Sequence, residues 1–247
     1  MSDAYRQFVQ GICFEGIEPM GMSLEISAED QAELATQKID ELISRLPNDG
    51  QDYQKILAPI LDIPRMSTFA IAAIIHRSVQ ELDAAAAYLN VGVWHGFSLL
   101  AGMIGNPDRR VIGVDNFSKW GGPRDELMSR FEHFRSDRHE FYDMDYRDYF
   151  EQVHKGEVGF YFYDGDHSYE NQLNGLNLAE PYFSDNCVIL VDDTNLDAPR
   201  QATFDFLDNS DYDYEVLLDQ KTAVDEHPTF WNGIILMRRR SYTNLHK

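Results

Sequence analysis

Two apolar runs in this chain end in clusters of carboxylates, which are groups that bind cations and move protons. The run 158–163 leads into Asp164-Gly165-Asp166-His167, and the run 187–191 leads into Asp192-Asp193. Each run has the length and composition of a strand buried on both faces. If the strands are neighbours, four carboxylates meet at one edge, where two charges about 4 Å apart repel by about 4 kcal/mol at an effective dielectric near 20. Either some carboxylates are protonated or a cation lies among them.

Three roles are open to these residues. Oxygen ligands alone favour Mg²⁺, Mn²⁺ or Ca²⁺ over zinc. The alternative to a metal site is helix capping, by Asp166 for one following helix and by Asp193 for the next. His167, beside the acids, is a candidate general base, metal ligand or partner of a ligand.

A second group of residues suggests a binding site for a ribose-containing ligand. A strand over 86–91 ends in the pattern Asn90-x-Gly92-x-x-x-Gly96, where glycines let the backbone approach a ligand. The next strand ends in Asp115, 23 residues after Gly92, a spacing that suits a carboxylate bound to ribose hydroxyls. An ordinary glycine turn followed by an ordinary helix cap is the alternative.

These residues need a scaffold that brings strand ends together, and the rest of the pattern predicts one. From about residue 84, strand-like and helix-like segments alternate, which predicts a mainly parallel sheet covered on both faces. The predicted strands are 86–91, 111–114, 139–142, 158–163, 187–191, 214–218 and 231–237. The predicted helices are 67–81, a segment after Ser98 that ends at Ile104, 122–135, 145–153, 169–179 and 198–208. No helix separates the last two strands, so they are expected to pair as an antiparallel hairpin.

The N-terminal quarter of the chain is expected to be an extension, residues 1–64, that is partly helical. Glycines and a proline interrupt residues 1–26, which are expected to be irregular. A helix is expected to begin at Ser27, with apolar residues on one face as far as Leu46, and to end at Pro47.

Composition excludes several classes of protein. The 247 residues carry a net charge of −21, which disfavours nucleic acid and anionic membrane surfaces as partners. No apolar run approaches the roughly 20 residues of a membrane span, and residues 1–10 lack the apolar core of a signal peptide. A cytoplasmic location is therefore the expectation. The content of two cysteines disfavours a disulfide framework and a cysteine-based zinc site.

The order of these motifs resembles a known family. It comprises Asn90-x-Gly92-Val93-Trp94-His95-Gly96-x-Ser98, Val114-Asp115, Asp164-Gly165-Asp166-His167-Ser168-Tyr169 and Val191-Asp192-Asp193. It is similar to the Rossmann-like S-adenosylmethionine-dependent methyltransferases, and most similar to the small-molecule O-methyltransferases of the macrolide and aminocoumarin sugar type. The resemblance implies an α/β fold with a seven-stranded, mostly parallel sheet and a reversed last strand. It also implies a methyltransferase domain over 65–247.

The resemblance also assigns roles to residues. Gly92 and Gly96 would line the methionine and ribose part of the cofactor, and Asp115 would hold the ribose. The full set of cofactor contacts it implies is Ser67, Thr68, Asn90, Gly92, Gly96, Ser98, Asp115, Asp145 and Asp164. In sugar-methylating relatives, acids at the positions of Asp164, Asp192 and Asp193 bind Mg²⁺, and an acid at the position of Asp166 serves as the base. His167 leaves the identity of the base open.

The resulting expectation is an S-adenosylmethionine-dependent O-methyltransferase acting on a small hydroxylated metabolite, a sugar or a natural-product scaffold, with a divalent metal. Asp166 or His167 is the predicted base. Two alternatives stand beside it. A nicotinamide-dependent oxidoreductase also fits a glycine turn and a ribose acid, and a catalytically silent binding protein is suggested by Asn90, where the family usually has an acid. The sequence leaves the oligomeric state open, with a homo-oligomer as one option.

Overall fold

The computed structural model describes residues 2–14, 44–222, 225–227 and 229–240. In these ranges the helices are α1 (Asp3–Gln10), α2 (Tyr53–Leu57), α3 (Phe69–Gln80), α4 (Phe97–Met103), α5 (Arg124–Phe134), α6 (Tyr146–Gln152), α7 (Tyr169–Ala179) and α8 (Asp197–Asn209). Short 3₁₀ turns follow α2 at Ala58–Ile60 and α7 at Glu180–Tyr182. The strands are β1 (Cys13–Phe14), β2 (Ser44–Arg45), β3 (Ala86–Val91), β4 (Arg110–Asp115), β5 (His139–Asp143), β6 (Glu157–Tyr163), β7 (Phe183–Val191), β8 (Tyr214–Gln220) and β9 (Ile234–Arg239).

Seven strands form one sheet in the order β5-β4-β3-β6-β7-β9-β8. The first five are parallel, and β9 runs antiparallel to both of its neighbours, β7 and β8. This confirms the predicted seven-stranded sheet, its reversed last strand and the antiparallel hairpin. Because the chain builds outward from β3 to β5 and then returns to place β6 on the other side of β3, the topological switch point lies between β3 and β6. Ligands of such sheets bind at the carboxyl ends of the strands at that point.

The central strands are buried on both faces, as their continuous apolar sequences predict. All six residues of β3 are buried, and in β6 every residue after Glu157 is buried. One apolar layer lies under α3 and α4, and a second lies under α6, α7 and α8. The sheet therefore provides a rigid platform from which the turns after β3, β4, β6 and β7 project at one edge.

The N-terminal region differs from the expectation in two places. Residues 3–10, expected to be irregular, form α1, because the Ser2 hydroxyl caps the first turn and Tyr5, Phe8 and Val9 bury one face. The expected helix that reaches Leu46 is wrong at its end, where Ser44–Arg45 pairs as a strand with Cys13–Phe14. Most of that expected helix lies outside the described residues.

In the described part of the chain, the structure contains no helix that is both long and apolar enough to span a membrane.

Candidate active site

A cavity of about 550 Å³ opens at the carboxyl ends of β3, β4, β6 and β7, at the switch point of the sheet. This volume is within the range of small-molecule and cofactor sites, roughly 300–1,000 Å³. Most of the predicted site residues line the cavity together: Ser67, Gly92, Ser98, Asp115, Asp145, Asp164, Asp166, His167, Asp192 and Asp193. Thr68, Asn90 and Gly96 do not belong to its lining.

The turn after β3 packs directly on the turn after β6. Gly92 has φ of +81°, and a Cβ at this position would lie 1.9 Å from the carbonyl oxygen of Asp164. Only glycine permits both this backbone conformation and this approach. The two turns that carry the predicted cofactor and catalytic residues are thus held in contact at Gly92.

Gly96 has a different role from the predicted cofactor contact. It precedes the first residue of α4 with φ of +98°, and a Cβ there would lie 2.5 Å from Cδ1 of Leu127 on α5. The missing side chain lets the start of α4 pack against α5. The structure gives Gly96 a packing role, and its contact with a cofactor stays a prediction.

The backbone N–H groups of the glycine turn are largely used inside the protein. Gly92 N–H donates to Val114 O over 2.9 Å, and Gly96 N–H donates to Val93 O over 2.8 Å. The N–H groups of Val93 and Trp94 donate to Oδ2 of Asp115 over 2.7 and 2.8 Å. Four of the five N–H groups from Gly92 to Gly96 are therefore unavailable to a phosphate. A pyrophosphate-binding turn needs such donors, so this geometry argues against a dinucleotide.

Asp115 connects the glycine turn to the loop that follows β4. Its Oδ2 accepts the two bonds from Val93 and Trp94, and its Oδ1 accepts from Phe117 N–H over 2.8 Å. A carboxylate offers about four acceptor positions, and Asp115 lines the cavity. It can therefore accept a further bond from a ribose hydroxyl while it holds the turn.

The buried side chain of Asn90 supports the glycine turn through hydrogen bonds. It is fully buried, its Nδ2 donates to Gly92 O over 3.0 Å, and its Oδ1 accepts from Ser98 Oγ over 2.8 Å. Because these two bonds use the amide, Asn90 supports the glycine turn in this structure, and its direct contact with a cofactor stays a prediction. An acid at this position would place a carboxylate against the Gly92 carbonyl, which explains why an amide fits here.

Ser67 and Thr68, predicted as a pair, separate into two roles. Thr68 is fully buried, donates to Thr229 O over 2.5 Å and accepts from Ile71 N–H over 3.4 Å, so it caps α3 and does not reach the cavity. Ser67 lines the cavity, and its buried Oγ has no hydrogen-bond partner among the described residues. A buried hydroxyl without a partner costs free energy, so Ser67 is suited to a ligand.

Asp145 lines the cavity at its other end. It caps α6 by accepting from Arg147 N–H over 2.9 Å, and its Oδ2 accepts from Asn116 Nδ2 over 3.3 Å. This location agrees with the predicted position near the adenine end of a cofactor without testing it.

His167 lies between two carboxylates of the acidic rim. Its Nε2 is 3.5 Å from Oδ1 of Asp164 and 3.3 Å from Oδ2 of Asp193. Desolvation lowers the pKa of His167, but the facing carboxylates, Asp164 foremost, outweigh this effect and raise it to about 9. His167 is therefore mostly an imidazolium near neutral pH, and it is a strong proton acceptor in its neutral form.

Burial raises the pKa values of two carboxyl groups around His167. Desolvation raises the pKa of Asp164 to about 6 even though His167 opposes the shift. Asp192 is 2% exposed, and burial, reinforced by Asp164 and Asp193, raises its pKa well above the ordinary value. Oδ1 of Asp192 has no hydrogen-bond partner within the described ranges. The imidazolium of His167 is the positive charge that compensates this cluster.

Asp166, the other predicted base, is held as an anion. Lys119 forms an ion pair with Oδ2, and Ser168 N–H donates to Oδ1 over 2.8 Å. The ion pair with Lys119, followed by the bonds from Ser168, lowers the pKa of Asp166 well below its usual range. A carboxylate with so low a pKa is a weak proton acceptor, so of the two predicted bases the geometry favours His167.

Comparison with known proteins agrees with this arrangement. Residues 89–194, which contain the glycine turn and both acidic turns, match the family model described as a methyltransferase domain. This segment is a methyltransferase domain. The match confirms the family resemblance and the prediction of a methyltransferase.

The solved structures that resemble the chain share its fold at low sequence identity. The SAH-bound methyltransferase PaMTH1 of Podospora anserina is 14% identical, over 90% of this chain and 100% of that chain, with a TM-score of 0.56. The SAH-bound O-methyltransferase of Bacillus cereus is 15% identical, over 87% and 94% of the two chains, with a TM-score of 0.52. A protein of Corynebacterium glutamicum is 9% identical, over 87% and 99%, with a TM-score of 0.60. No curated protein sequence matches the chain.

The residues of the methyltransferase domain do not form the predicted Mg²⁺ site in this structure. Asp164, Asp192 and Asp193 share one rim, but His167 stands between two of them, and Asn232 Nδ2 donates to Asp193 Oδ1 over 2.9 Å. Within the described ranges, no three histidine, cysteine or acidic side chains are arranged to hold a metal ion. The metal prediction is therefore not supported.

Several residues that line the cavity were not predicted from the sequence. They come from segments with no chemical motif: Arg65, Met66, Lys119, Trp120, Arg147, Glu226, Trp231 and Asn232. Glu226, Trp231 and Asn232 precede β9, which inserts between β7 and β8 and so returns them to the acidic rim. The local sequence of these three residues did not predict their position at the acidic rim, because that position depends on the order of the strands in the sheet. Trp94 also lines the cavity.

Proposed function

We propose that this chain transfers a methyl group from S-adenosylmethionine to a hydroxyl group of a small metabolite. The observation that carries the proposal is the position of His167, a base held between two carboxylates in the same cavity as the glycine turn and Asp115. One cavity thus combines a ribose-binding acid with a proton acceptor. Both are needed when a hydroxyl attacks a cofactor-bound methyl group.

The charge of the cavity supports this cofactor over a dinucleotide. The lining contains seven acidic side chains: Asp115, Asp145, Asp164, Asp166, Asp192, Asp193 and Glu226. It contains three side chains of lysine or arginine: Arg65, Lys119 and Arg147. An excess of carboxylates repels a pyrophosphate and attracts the sulfonium and amino groups of S-adenosylmethionine. Ser67, Gly92, Ser98 and Asp115 are the residues we expect to hold it.

The residues of the chain supply alignment and proton transfer. When bound, the cofactor supplies an electrophilic methyl group on its sulfonium. His167 accepts the proton of the acceptor hydroxyl at Nδ1, which has no hydrogen-bond partner among the described residues. Its Nε2 faces Asp164 and Asp193, which stabilise the imidazolium that results. The rigid turns after β3 and β6 fix cofactor and base relative to one another, which lowers the entropic part of the barrier.

The acceptor is expected to enter where the lining changes from the cofactor turns to Met66, Trp231 and Glu226. An aromatic ring, a thioether and a carboxylate suit a neutral scaffold with hydroxyl groups better than an anion. A sugar or a hydroxylated natural product, the predicted acceptor classes, fits this lining.

Calorimetric titration tests the cofactor. We expect S-adenosylhomocysteine (SAH), the demethylated product of the cofactor, to bind the purified protein with a stoichiometry of one. NAD at the same concentrations should produce no heat. Absence of SAH binding would refute the proposal. Binding of SAH without methyl transfer to any compound of a hydroxylated library would favour the catalytically silent alternative.

Metal removal tests whether the acidic rim needs a divalent ion. We expect the methyl-transfer rate to stay within about twofold after exhaustive dialysis against EDTA, because His167 already supplies the positive charge facing Asp164 and Asp193. The measurement is the initial rate with and without added Mg²⁺. A loss of activity that Mg²⁺ restores would instead assign Asp164, Asp192 and Asp193 to a metal.

A further inference from the structure

The loop between β4 and α5 crosses over the carboxyl end of β3. In the sheet, β3 lies between β4 and β6. Lys119, on the loop that follows β4, forms an ion pair with Asp166, on the turn that follows β6. The loop must therefore span the position of β3, and the glycine turn that begins at Gly92 lies beneath it.

The loop is fastened to both turns that flank the cavity. On the β6 side the fastening is the Lys119–Asp166 ion pair. On the β3 side Trp94 Nε1 donates to Trp120 O over 2.9 Å. Phe117, Ser118, Lys119 and Trp120 all line the cavity, so the loop forms one of its walls.

Four residues of the loop have left-handed backbone conformations. Phe117 and Trp120 have φ of +49° and +55°, and Gly121 and Gly122 have φ of +80° and +58°. Non-glycine residues in the left-handed region are uncommon and persist when the surroundings impose them. The Trp120 side chain is 71% exposed, so burial of the indole does not hold the loop down. The polar contacts of Lys119 and Trp120 hold this end of the loop, and Phe117 packs against Phe141 at its other end.

We propose that the loop 116–122 is a latch over the bound cofactor and that the Lys119–Asp166 ion pair is its fastening. This inference rests on the proposed function, since it requires a cofactor along the glycine turn. Lys119 is then a positioning residue: it retains the cofactor and takes no part in proton transfer. Opening the ion pair precedes release of the demethylated product of the cofactor.

The dissociation rate constant of SAH, measured by surface plasmon resonance, tests the latch. We compare the wild-type protein with Lys119→Met and Asp166→Asn, which remove the charges at nearly constant shape. Asp166→Asn keeps a side-chain oxygen that can accept the bond from Ser168 N–H. Because the ion pair is partly exposed, with 59% of the Lys119 and 32% of the Asp166 side chain accessible, we expect each variant to release SAH about fivefold faster. In the wild type, salt should speed release, and in both variants this salt dependence should be lost.

Controls separate the latch from other effects. Lys119→Arg preserves the ion pair and should restore slow release. Lys155→Met removes the same charge at an exposed site outside the cavity lining and should release SAH at the wild-type rate. Hydrogen exchange of amides 116–122 in the SAH complex should be faster in Lys119→Met than in the wild type. If wild type binds SAH but Lys119→Met releases it at the same rate, the latch is refuted and the proposed function stands. If the wild type does not bind SAH, both are refuted.

Discussion

Gly92→Ala is expected to weaken SAH binding by about 100-fold, equivalent to about 3 kcal/mol. The new Cβ would lie 1.9 Å from the Asp164 carbonyl oxygen, so the turns after β3 and β6 must move apart. Overpacking of this kind costs about 1–3 kcal/mol, and a left-handed backbone conformation costs an alanine about 1–2 kcal/mol. Calorimetric titration with SAH measures the loss, and thermal unfolding measures the accompanying fall in stability.

The matched control is Gly50→Ala. Gly50 has φ of +87°, close to the +81° of Gly92, but no atom lies within 4 Å of the position that a Cβ would take there. It therefore reproduces the backbone strain without the collision. We expect this variant to lose a little stability and to bind SAH normally. If both variants bind SAH equally well, the contact between the two turns does not position the cofactor.

Local sequence was sufficient to predict the strands that build this site. The apolar run 158–163 corresponds to β6, and the missing helix before the last strand correctly predicted an antiparallel hairpin. These predictions succeed because burial on both faces requires continuous apolar sequence and because a parallel connection usually contains a crossover helix, which is missing between the last two strands. The carboxylates that follow β6 and β7 lie close together because these two strands are parallel neighbours, so their carboxyl ends meet at the same edge of the sheet.

Local sequence could not predict contacts between residues that lie far apart in the chain. Nothing near Lys119 indicates a partner 47 residues away, and nothing near Asn232 indicates that it donates to Asp193. Asn90 was predicted to contact the cofactor because it occupies a motif position. In the structure its side-chain amide hydrogen bonds to Gly92 O and Ser98 Oγ instead. A motif identifies which turn approaches the ligand. Which side chains of the turn remain available depends on hydrogen bonds that only the folded chain defines.

The second large effect is expected at His167. His167→Gln should lower kcat by about 10²–10⁴-fold, the usual contribution of a general base, while SAH affinity stays within about threefold. Glutamine is similar in size and can hydrogen bond to Asp164 and Asp193, but it cannot accept the proton. Initial rates and calorimetric titration on the same preparation separate the two quantities.

The pH dependence of kcat/KM distinguishes His167 from Asp166 as the base. His167 accepts a proton only when it is neutral, and its pKa is raised to about 9. Below that value the neutral fraction rises about tenfold per pH unit, so kcat/KM should rise with pH and level off above about pH 9. Asp166, whose pKa is lowered by Lys119, is ionised throughout this range and would give no such rise.

His95→Gln is the control for the pH profile. His95 lines the same cavity, but desolvation, followed by the charge of Arg130, lowers its pKa below the ordinary histidine value. Its titration cannot produce a rise near pH 9, so His95→Gln should keep the wild-type profile, whereas His167→Gln should flatten it. A flat wild-type profile between pH 6 and 9 would remove His167 from proton transfer. A rise that persists in His167→Gln would place the base elsewhere in the cavity.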